Sequence, residues 1–206
     1  MSLPRLILVA DRFSDPEVAL RTLEAVRFGV RWVQLRDHSA STDVFEYAAV
    51  EVSSRILTEY PDVIVSINAR LSVSESLSLP FHTGLHGPTV YEALELLGRD
   101  RMVGKSIHTL EEAVEARRDE ADYVTFGSVY RTKSHPGREG AGMEQLKQVC
   151  ELSAHMPVIA IGGVSPERVG ECLEAGAHGV AVHSAILEAT DVFEAVMAYS
   201  NELPGL

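Results

Sequence analysis

The chain has 206 residues, a formal net charge of -12 and 46% hydrophobic residues. This length suits one domain and is near the lower limit for a complete barrel of eight strand-helix units. The acidic balance argues against duplex DNA or an anionic membrane as partner, because both surfaces attract clustered Lys and Arg, whereas a small anionic ligand stays compatible with it.

Apolar, strand-like segments alternate with helix-like segments along the whole chain. We predict eight strands, at residues 6–10, 32–35, 63–66, 84–86, 103–106, 123–126, 158–161 and 179–182. Helix-start signals such as Asp15-Pro16 and Ser165-Pro166 follow some of these strands. Alternation of this kind predicts a parallel sheet with right-handed crossovers, and eight repeats favour closure. The predicted fold class is therefore α/β, a single (β/α)8 TIM barrel domain over residues 1–206.

The first apolar run, Leu6–Ala10, is too short for a signal-peptide core, and no apolar run approaches a membrane span. We therefore expect a cytoplasmic protein. Cys150 and Cys172 have neither CxxC spacing nor a His at ligand spacing, so we expect two buried or half-buried thiols and no metal site.

Two strand-to-helix turns near the C-terminus are built from small residues. Strand 7 leads into Gly162 and Gly163, and strand 8 leads into His183, Ser184 and Ala185. Glycine has no Cβ, so a ligand can approach the first turn, and the second turn presents N–H groups at a helix start. The loops after strands 7 and 8 often bind phosphate in (β/α)8 barrels, so we predict a phosphate site here.

Polar residues also follow other predicted strands, at the end of the barrel where such enzymes carry out their chemistry. Strand alternation places Gln34 with Arg36, and Ser106 with His108. The basic, Gly-containing loop at 131–142 is of a kind that can close as a lid. The further candidates for substrate binding are Gln34, Arg36, Asn68, Ser106, Ser128 and Thr132.

The histidines divide according to their position relative to the predicted strands. Those that precede strands are expected to be structural: His82, His155 and His178. Those that follow strands are expected on the active rim: His38, His86, His108, His135 and His183.

Six motifs, in this order and spacing, resemble the thiamine phosphate synthase superfamily, whose members are compact (β/α)8 barrels. They are Val33–Arg36, Ile67–Asn68, Ser106–Ala113, Asp122–Tyr130, Ala160–Val164 and Ala181–Ile186. The resemblance covers nearly the whole chain.

The resemblance to the synthases implies two acids that hold magnesium, one after the strand-3 Asn and one after the His-containing motif of strand 4. This chain has Ala69 after Asn68 and Gly87 after His86, and it has His38 where a pyrophosphate-binding Lys is expected. Magnesium is usually bound through carboxylates and substrate phosphates. The pattern therefore resembles the TenI-like thiazole tautomerases, which implies no metal and no cofactor.

Resemblance to that branch implies an isomerase of thiamine biosynthesis that aromatises a carboxythiazole phosphate by proton transfer. A histidine suits this work and typically contributes about 10²–10⁴-fold. The branch has a His directly after the strand-6 Phe-Gly, where this chain has Ser128. We therefore expect His183 to move the proton, with His108 second and His38 third, and Arg36 to hold the substrate's carboxylate.

Two alternatives stay open. The chain could be a thiamine phosphate synthase, a transferase that joins a pyrimidine pyrophosphate to a thiazole phosphate, with magnesium on other acids such as Asp37 or Glu92. It could also be a non-catalytic or regulatory barrel that only binds a phosphate ligand. In each case we expect a small-molecule thiazole phosphate as partner, no nucleic acid, no membrane, and a homo-oligomer.

Overall fold

Eight parallel strands close into a barrel in chain order, with β1 paired to both β2 and β8. The computed structural model describes residues 3–132 and 139–203. The strands are β1 (Leu6–Asp11), β2 (Trp32–Arg36), β3 (Ile64–Asn68), β4 (Phe81–Thr83), β5 (Val103–Ile107), β6 (Tyr123–Gly127), β7 (Val158–Ile161) and β8 (Gly179–Val182). The predicted (β/α)8 fold class is confirmed.

Helices follow the strands and cover the barrel. They are α1 (Pro16–Arg27), α2 (Thr42–Glu59), α3 (Leu71–Leu77), α4 (Val90–Leu97), α5 (Leu110–Arg118), α6 (Gly142–Ser153), α7 (Val169–Glu174), α8 (Ser184–Leu187) and α9 (Val192–Glu202). A 3-10 turn at Pro166–Arg168 precedes α7. The predicted start of α1 is confirmed, since the Asp15 carboxylate accepts a hydrogen bond from the Glu17 amide at 2.8 Å. Within the described ranges, no helix is both long and apolar enough to cross a membrane.

The fourth strand was predicted three residues too late, at 84–86. Pro80 precedes β4, where its missing N–H is tolerated, and the Phe81 amide bonds to the Met102 carbonyl at 2.9 Å. The predicted segment is a turn instead, closed by a 3.1 Å bond from the Gly87 amide to the Gly84 carbonyl. His82 therefore lies within a strand and not before one.

His82 belongs to a polar network inside the barrel. Its Nε2 lies 2.8 Å from the Ser106 Oγ, and its Nδ1 lies 3.0 Å from the Tyr123 hydroxyl. Burial and, secondarily, the positive charge of Arg36 lower the His82 pKa to about 3, so the imidazole is neutral. The side chain is structural, as predicted, but it supports the barrel interior.

Alternate strand positions supply two apolar layers. The larger cluster packs strands against helices, and a smaller one fills the barrel with Ile7, Val9, Trp32, Ile159 and neighbouring side chains. Both cysteines are free, with Cys172 buried and Cys150 half-buried, as predicted.

Candidate active site

The carboxyl end of β1 contributes a carboxylate that the sequence analysis did not identify. The register of β1 and β2 pairs Asp11 with Arg36, and the Arg36 Nε donates to the Asp11 Oδ1 at 2.9 Å. The His183 Nε2 lies 4.0 Å from the other oxygen of the same carboxylate. Asp11 therefore stands between the predicted anion-binding cation and the first-choice predicted catalytic histidine.

His183 is a half-buried imidazole with a perturbed pKa. Burial lowers the His183 pKa, the Asp11 carboxylate raises it in part, and Arg36 lowers it further. The net shift is downward, which favours a neutral ring that can accept a proton near neutral pH. A cavity of about 400 Å³ opens beside it, lined by Asp11 and Arg12 at the end of β1, by Arg21 of α1, and by residues of and after α8.

The other two candidate histidines lie elsewhere on the rim. His108 has a 46% exposed side chain, and its Nδ1 lies 3.4 Å from the Glu112 carboxylate. The expectation that Ser106 and His108 share a face is wrong, because β5 ends at Ile107 and His108 already belongs to the turn before α5. His38 is exposed on the loop after β2.

Gln34 and Asn68 meet inside the barrel mouth. The Asn68 Nδ2 donates to the Gln34 Oε1 at 3.3 Å, and Gln34 is only 3% exposed. The Gln34 Nε2 is buried and has no hydrogen-bond partner among the residues that the structure describes. A buried donor without a partner costs about 1–3 kcal/mol, which makes this amide a point of strain in the barrel mouth.

The turn after β7, which we call the β7 turn (residues 162–164), requires both of its glycines. Gly162 has φ 95° and Gly163 has φ 68°, both in the region that L side chains avoid. A Cβ on Gly162 would lie 2.6 Å from the Ser128 Cβ, and one on Gly163 would lie 2.5 Å from the Arg131 carbonyl. Glycine is therefore needed at both positions because the loop after β6 packs against them. The sequence had instead suggested that the glycines make room for a ligand.

Packing against that loop also orients the amides of the β7 turn. The carbonyls of Ile161 and Gly162 accept from the amides of Val129 and Tyr130, each at 2.9 Å. In a trans peptide the N–H points opposite to the carbonyl, so the amides of Gly162 and Gly163 face away from the loop.

The amides of both small-residue turns are unengaged in the loop hydrogen bonds. Among those bonds in residues 3–132 and 139–203, none is donated by the amide of Gly162, Gly163, Ser184 or Ala185. Ser184 and Ala185 are exposed at the start of the one-turn helix α8. These four N–H groups are the candidate donors for an anion.

The loop after β6 is only partly described. Ser128 lies against Gly162, as the 2.8 Å approach of its Oγ to a Cβ built there shows. Thr132 lies at the edge of the described part, and residues 133–138, which include His135, lie outside the described residues.

The two acids proposed for magnesium in the synthase alternative serve local structure. Burial opposes ionisation of Asp37, but hydrogen bonds from Ser14, Ser39 and Ala40 lower its pKa overall. Glu92 forms a capping box with Thr89, whose amide and hydroxyl it accepts at 2.8 and 2.9 Å. Both carboxylates already have their partners.

No other residues in the described ranges replace the carboxylates that the synthase resemblance places after β3 and β4. Ala69 follows β3, and the residues from His82 to Thr89 include no Asp or Glu. In residues 3–132 and 139–203, no group of three His, Cys, Asp or Glu side chains could hold a metal ion. The residues present therefore do not fit the magnesium site that the synthase resemblance implies.

Comparison with known proteins supports the family that the sequence motifs resemble. The family model described as "Thiamine monophosphate synthase" matches residues 6–186. A thiamine-phosphate synthase of Clostridium acetobutylicum is 32% identical over 191 residues, covering 91% of this chain and 89% of that protein. A protein of Aquifex aeolicus named putative thiamine-phosphate synthase 2 is 34% identical over 192 residues, covering 91% of this chain and all of that one.

A solved structure extends the likeness to three dimensions. The thiamine phosphate pyrophosphorylase of Pyrococcus furiosus has a TM-score of 0.84 at 30% identity, covering 96% of this chain and 94% of its own. A 3-hexulose-6-phosphate synthase of Salmonella typhimurium, with a TM-score of 0.72 at 18% identity, shows the barrel fold alone. A family match over most of the chain, on a barrel of eight parallel strands, makes this chain a member of the thiamine monophosphate synthase family.

Proposed function

We propose that this chain makes thiamine phosphate by joining a thiazole phosphate to a pyrimidine pyrophosphate. The supporting observation is the likeness to relatives of that name, at 32% and 34% identity over about nine tenths of this chain. These names favour the synthase alternative over the tautomerase expected from the residues, and under this proposal the chain is a transferase.

In this proposal the chain contributes anchors on two sides of the barrel mouth. The amides of the β7 turn and of Ser184 and Ala185 bind the thiazole phosphate, as at other helix-start anion sites. The thiazole nitrogen forms a bond to the methylene carbon of the pyrimidine as the bond from that carbon to pyrophosphate oxygen breaks. Arg36, whose Nε is held by Asp11 at 2.9 Å, stabilises the departing negative charge with its remaining N–H groups.

Gln34 contributes the remaining polar contact of the proposal. Its Nε2 is the buried donor that lacks a partner within the described part of the chain. A ring nitrogen or an oxygen of the substrate would satisfy it. No step is assigned to magnesium, because the residues present do not fit its site.

The missing carboxylates favour a second candidate, the metal-free tautomerase. Aromatising a carboxythiazole phosphate removes one proton from a ring carbon and delivers one to an exocyclic carbon. The net lowering of the His183 pKa leaves a neutral imidazole beside the same proposed phosphate anchor. Both reactions thus use one thiazole phosphate site and differ in their need for pyrophosphate chemistry.

One experiment separates the two candidates. The purified protein is incubated with the pyrimidine pyrophosphate and the thiazole phosphate, once with added magnesium and once with a chelator, and thiamine phosphate is measured. A parallel reaction follows loss of the non-aromatic carboxythiazole tautomer. Thiamine phosphate formation supports the synthase, and acceleration of the tautomer's loss alone supports the second candidate. Binding of thiazole phosphate without either reaction would refute both.

A further inference from the structure

The β7 turn is held by donors from three different elements. The Gly162 carbonyl accepts from the Tyr130 amide at 2.9 Å, and the Val164 carbonyl accepts from the Tyr199 hydroxyl at 2.8 Å. Between them, the Gly163 carbonyl accepts from the Arg168 Nη1 at 2.8 Å. Each of three consecutive carbonyl oxygens is thus held by a donor, and within each peptide unit the N–H points opposite to the held carbonyl.

Arg168 differs from the other two donors because it is an exposed, flexible side chain. Its own position is fixed by stacking, since the guanidinium carbon lies 4.3 Å from the centre of the Tyr130 ring. Tyr130 in turn donates its hydroxyl to the Glu171 carboxylate at 2.8 Å. Burial, and then the bond to Glu171, raise the pKa of Tyr130, so the hydroxyl remains a donor.

Tyr130 also packs directly on the β7 turn through its Cβ and backbone. A Cβ built on Gly163 would lie 2.8 Å from the Tyr130 Cβ, so the tyrosine leaves no space between the loop after β6 and the turn. Arg168 therefore closes a ring of contacts that runs from the Gly163 carbonyl through the guanidinium to Tyr130 and back to the turn.

We propose that Arg168 is a positioning residue that, stacked on Tyr130, fixes the Gly163–Val164 peptide unit of the β7 turn for binding a phosphate group. This inference rests on the phosphate anchor of the proposed function and does not depend on which reaction follows. The amide that follows the Gly163 carbonyl belongs to Val164. Without the bond from Arg168, that peptide unit is free to rotate. Binding of the anion must then restrict this rotation, which costs free energy and weakens the affinity.

The test compares Arg168→Met with a matched control elsewhere on the barrel. Arg117 is also an arginine that donates its Nη1 to a backbone carbonyl, that of Leu152, at 2.8 Å, but it lies at the end of α5, away from the β7 turn. Binding of inorganic phosphate is measured by ³¹P NMR titration, together with kcat and KM for thiazole phosphate where turnover is present. Melting temperatures and circular dichroism report folding.

We expect Arg168→Met to weaken phosphate binding and raise KM about tenfold while kcat stays within about twofold, as for lost uniform binding. Arg117→Met should leave phosphate binding unchanged. Tyr130→Phe, which keeps the ring, should bind as the wild type does. Tyr130→Leu, which keeps the charge of Arg168 but removes its stacking surface, should weaken binding as Arg168→Met does, and the double variant should be little worse than either single one.

Three results would overturn the inference. The first is wild-type phosphate affinity in Arg168→Met, and the second is an equal loss of affinity in Arg168→Met and Arg117→Met. The third is unchanged affinity in Tyr130→Leu, because this would indicate that Arg168 contacts the anion directly. A wild-type protein that binds no phosphate would overturn it as well. A wild-type protein that binds phosphate but makes no thiamine phosphate would refute the proposed synthase and leave this inference standing. If Arg168→Met fails to fold, Arg168→Lys retains the charge without the planar stack and is expected to lose part of the affinity.

Discussion

Gly163→Ala should damage both the stability of the barrel and its anion site. Two effects add at this position. The backbone is left-handed, with φ 68°, which an alanine tolerates at a cost of roughly 1 kcal/mol. The new Cβ would also lie 2.5 Å from the Arg131 carbonyl and 2.8 Å from the Tyr130 Cβ, and overpacking of this kind costs about 1–3 kcal/mol.

The control is Gly142→Ala, where φ is 81° but a Cβ would meet nothing within 4 Å. We expect a loss of about 1 kcal/mol in the control and about 2–4 kcal/mol in Gly163→Ala, which for a chain of this size lowers the melting temperature by roughly 5–15 °C. Urea unfolding gives the free energies, and phosphate titration reports the site. Equal stabilities of the two variants, or wild-type phosphate affinity in Gly163→Ala, would refute the view that the loop after β6 shapes the β7 turn.

Three other predictions concern the rim and the barrel interior. His183→Asn should reduce turnover by about 10²–10⁴-fold if the ring moves a proton. Asp11→Asn should shift the acidic limb of the pH-rate profile to lower pH, because the Asp11 carboxylate raises the His183 pKa. An acidic limb that stays at the same pH in Asp11→Asn excludes that coupling. The His82 pKa is lowered from 6.5 to about 3, so between these values the unfolded chain binds a proton that the folded chain does not. The free energy of unfolding should therefore decrease as the pH falls from 6.5 towards 3, by up to ~1.4 kcal/mol per pH unit. Urea unfolding at pH 4.5 and 6.5 should show a smaller change of this free energy with pH in His82→Gln than in the wild type, and an equal change would contradict the assignment. Ala69→Asp should change the free energy of unfolding by no more than about 0.5 kcal/mol, because the φ of 60° at this position suits Asp better than Ala. The same variant should make thiamine phosphate formation respond to added magnesium. A magnesium response identical to that of the wild type would count against a lost cation site at this position.

Seven of the eight strands could be located from the sequence, and the shortest strand, β4, could not. Strong apolar runs located seven strands to within one or two residues at each end. The fourth strand has only three residues, Phe81–Thr83, and the segment after it contains a similar alternation of small, apolar and His residues. Pairing with β3 and β5 selects the true segment, and those pairings involve residues distant in the chain.

Turns of the candidate site that are written in consecutive residues could be located from the sequence, whereas contacts set by strand register could not. The small-residue turns after β7 and β8 are visible in the sequence. Asp11 was missed because its partner, Arg36, is set by the β1–β2 register. Arg168 was missed because its role depends on a carbonyl five residues earlier and on a tyrosine 38 positions away, with nothing in its local sequence to indicate either contact.

Asp11 lies where the first strand of the barrel meets the last, because β1 pairs with β8 and His183 follows β8 directly. During synthesis, this contact can form only after the ribosome has released almost the entire chain, long after β1 to β4 have emerged. Closure of the sheet and assembly of the Asp11–His183 pair are therefore a single late event. A nascent or truncated barrel that retains most of its helices would still lack this part of the rim, so folding intermediates are expected to be catalytically silent even when they are largely structured.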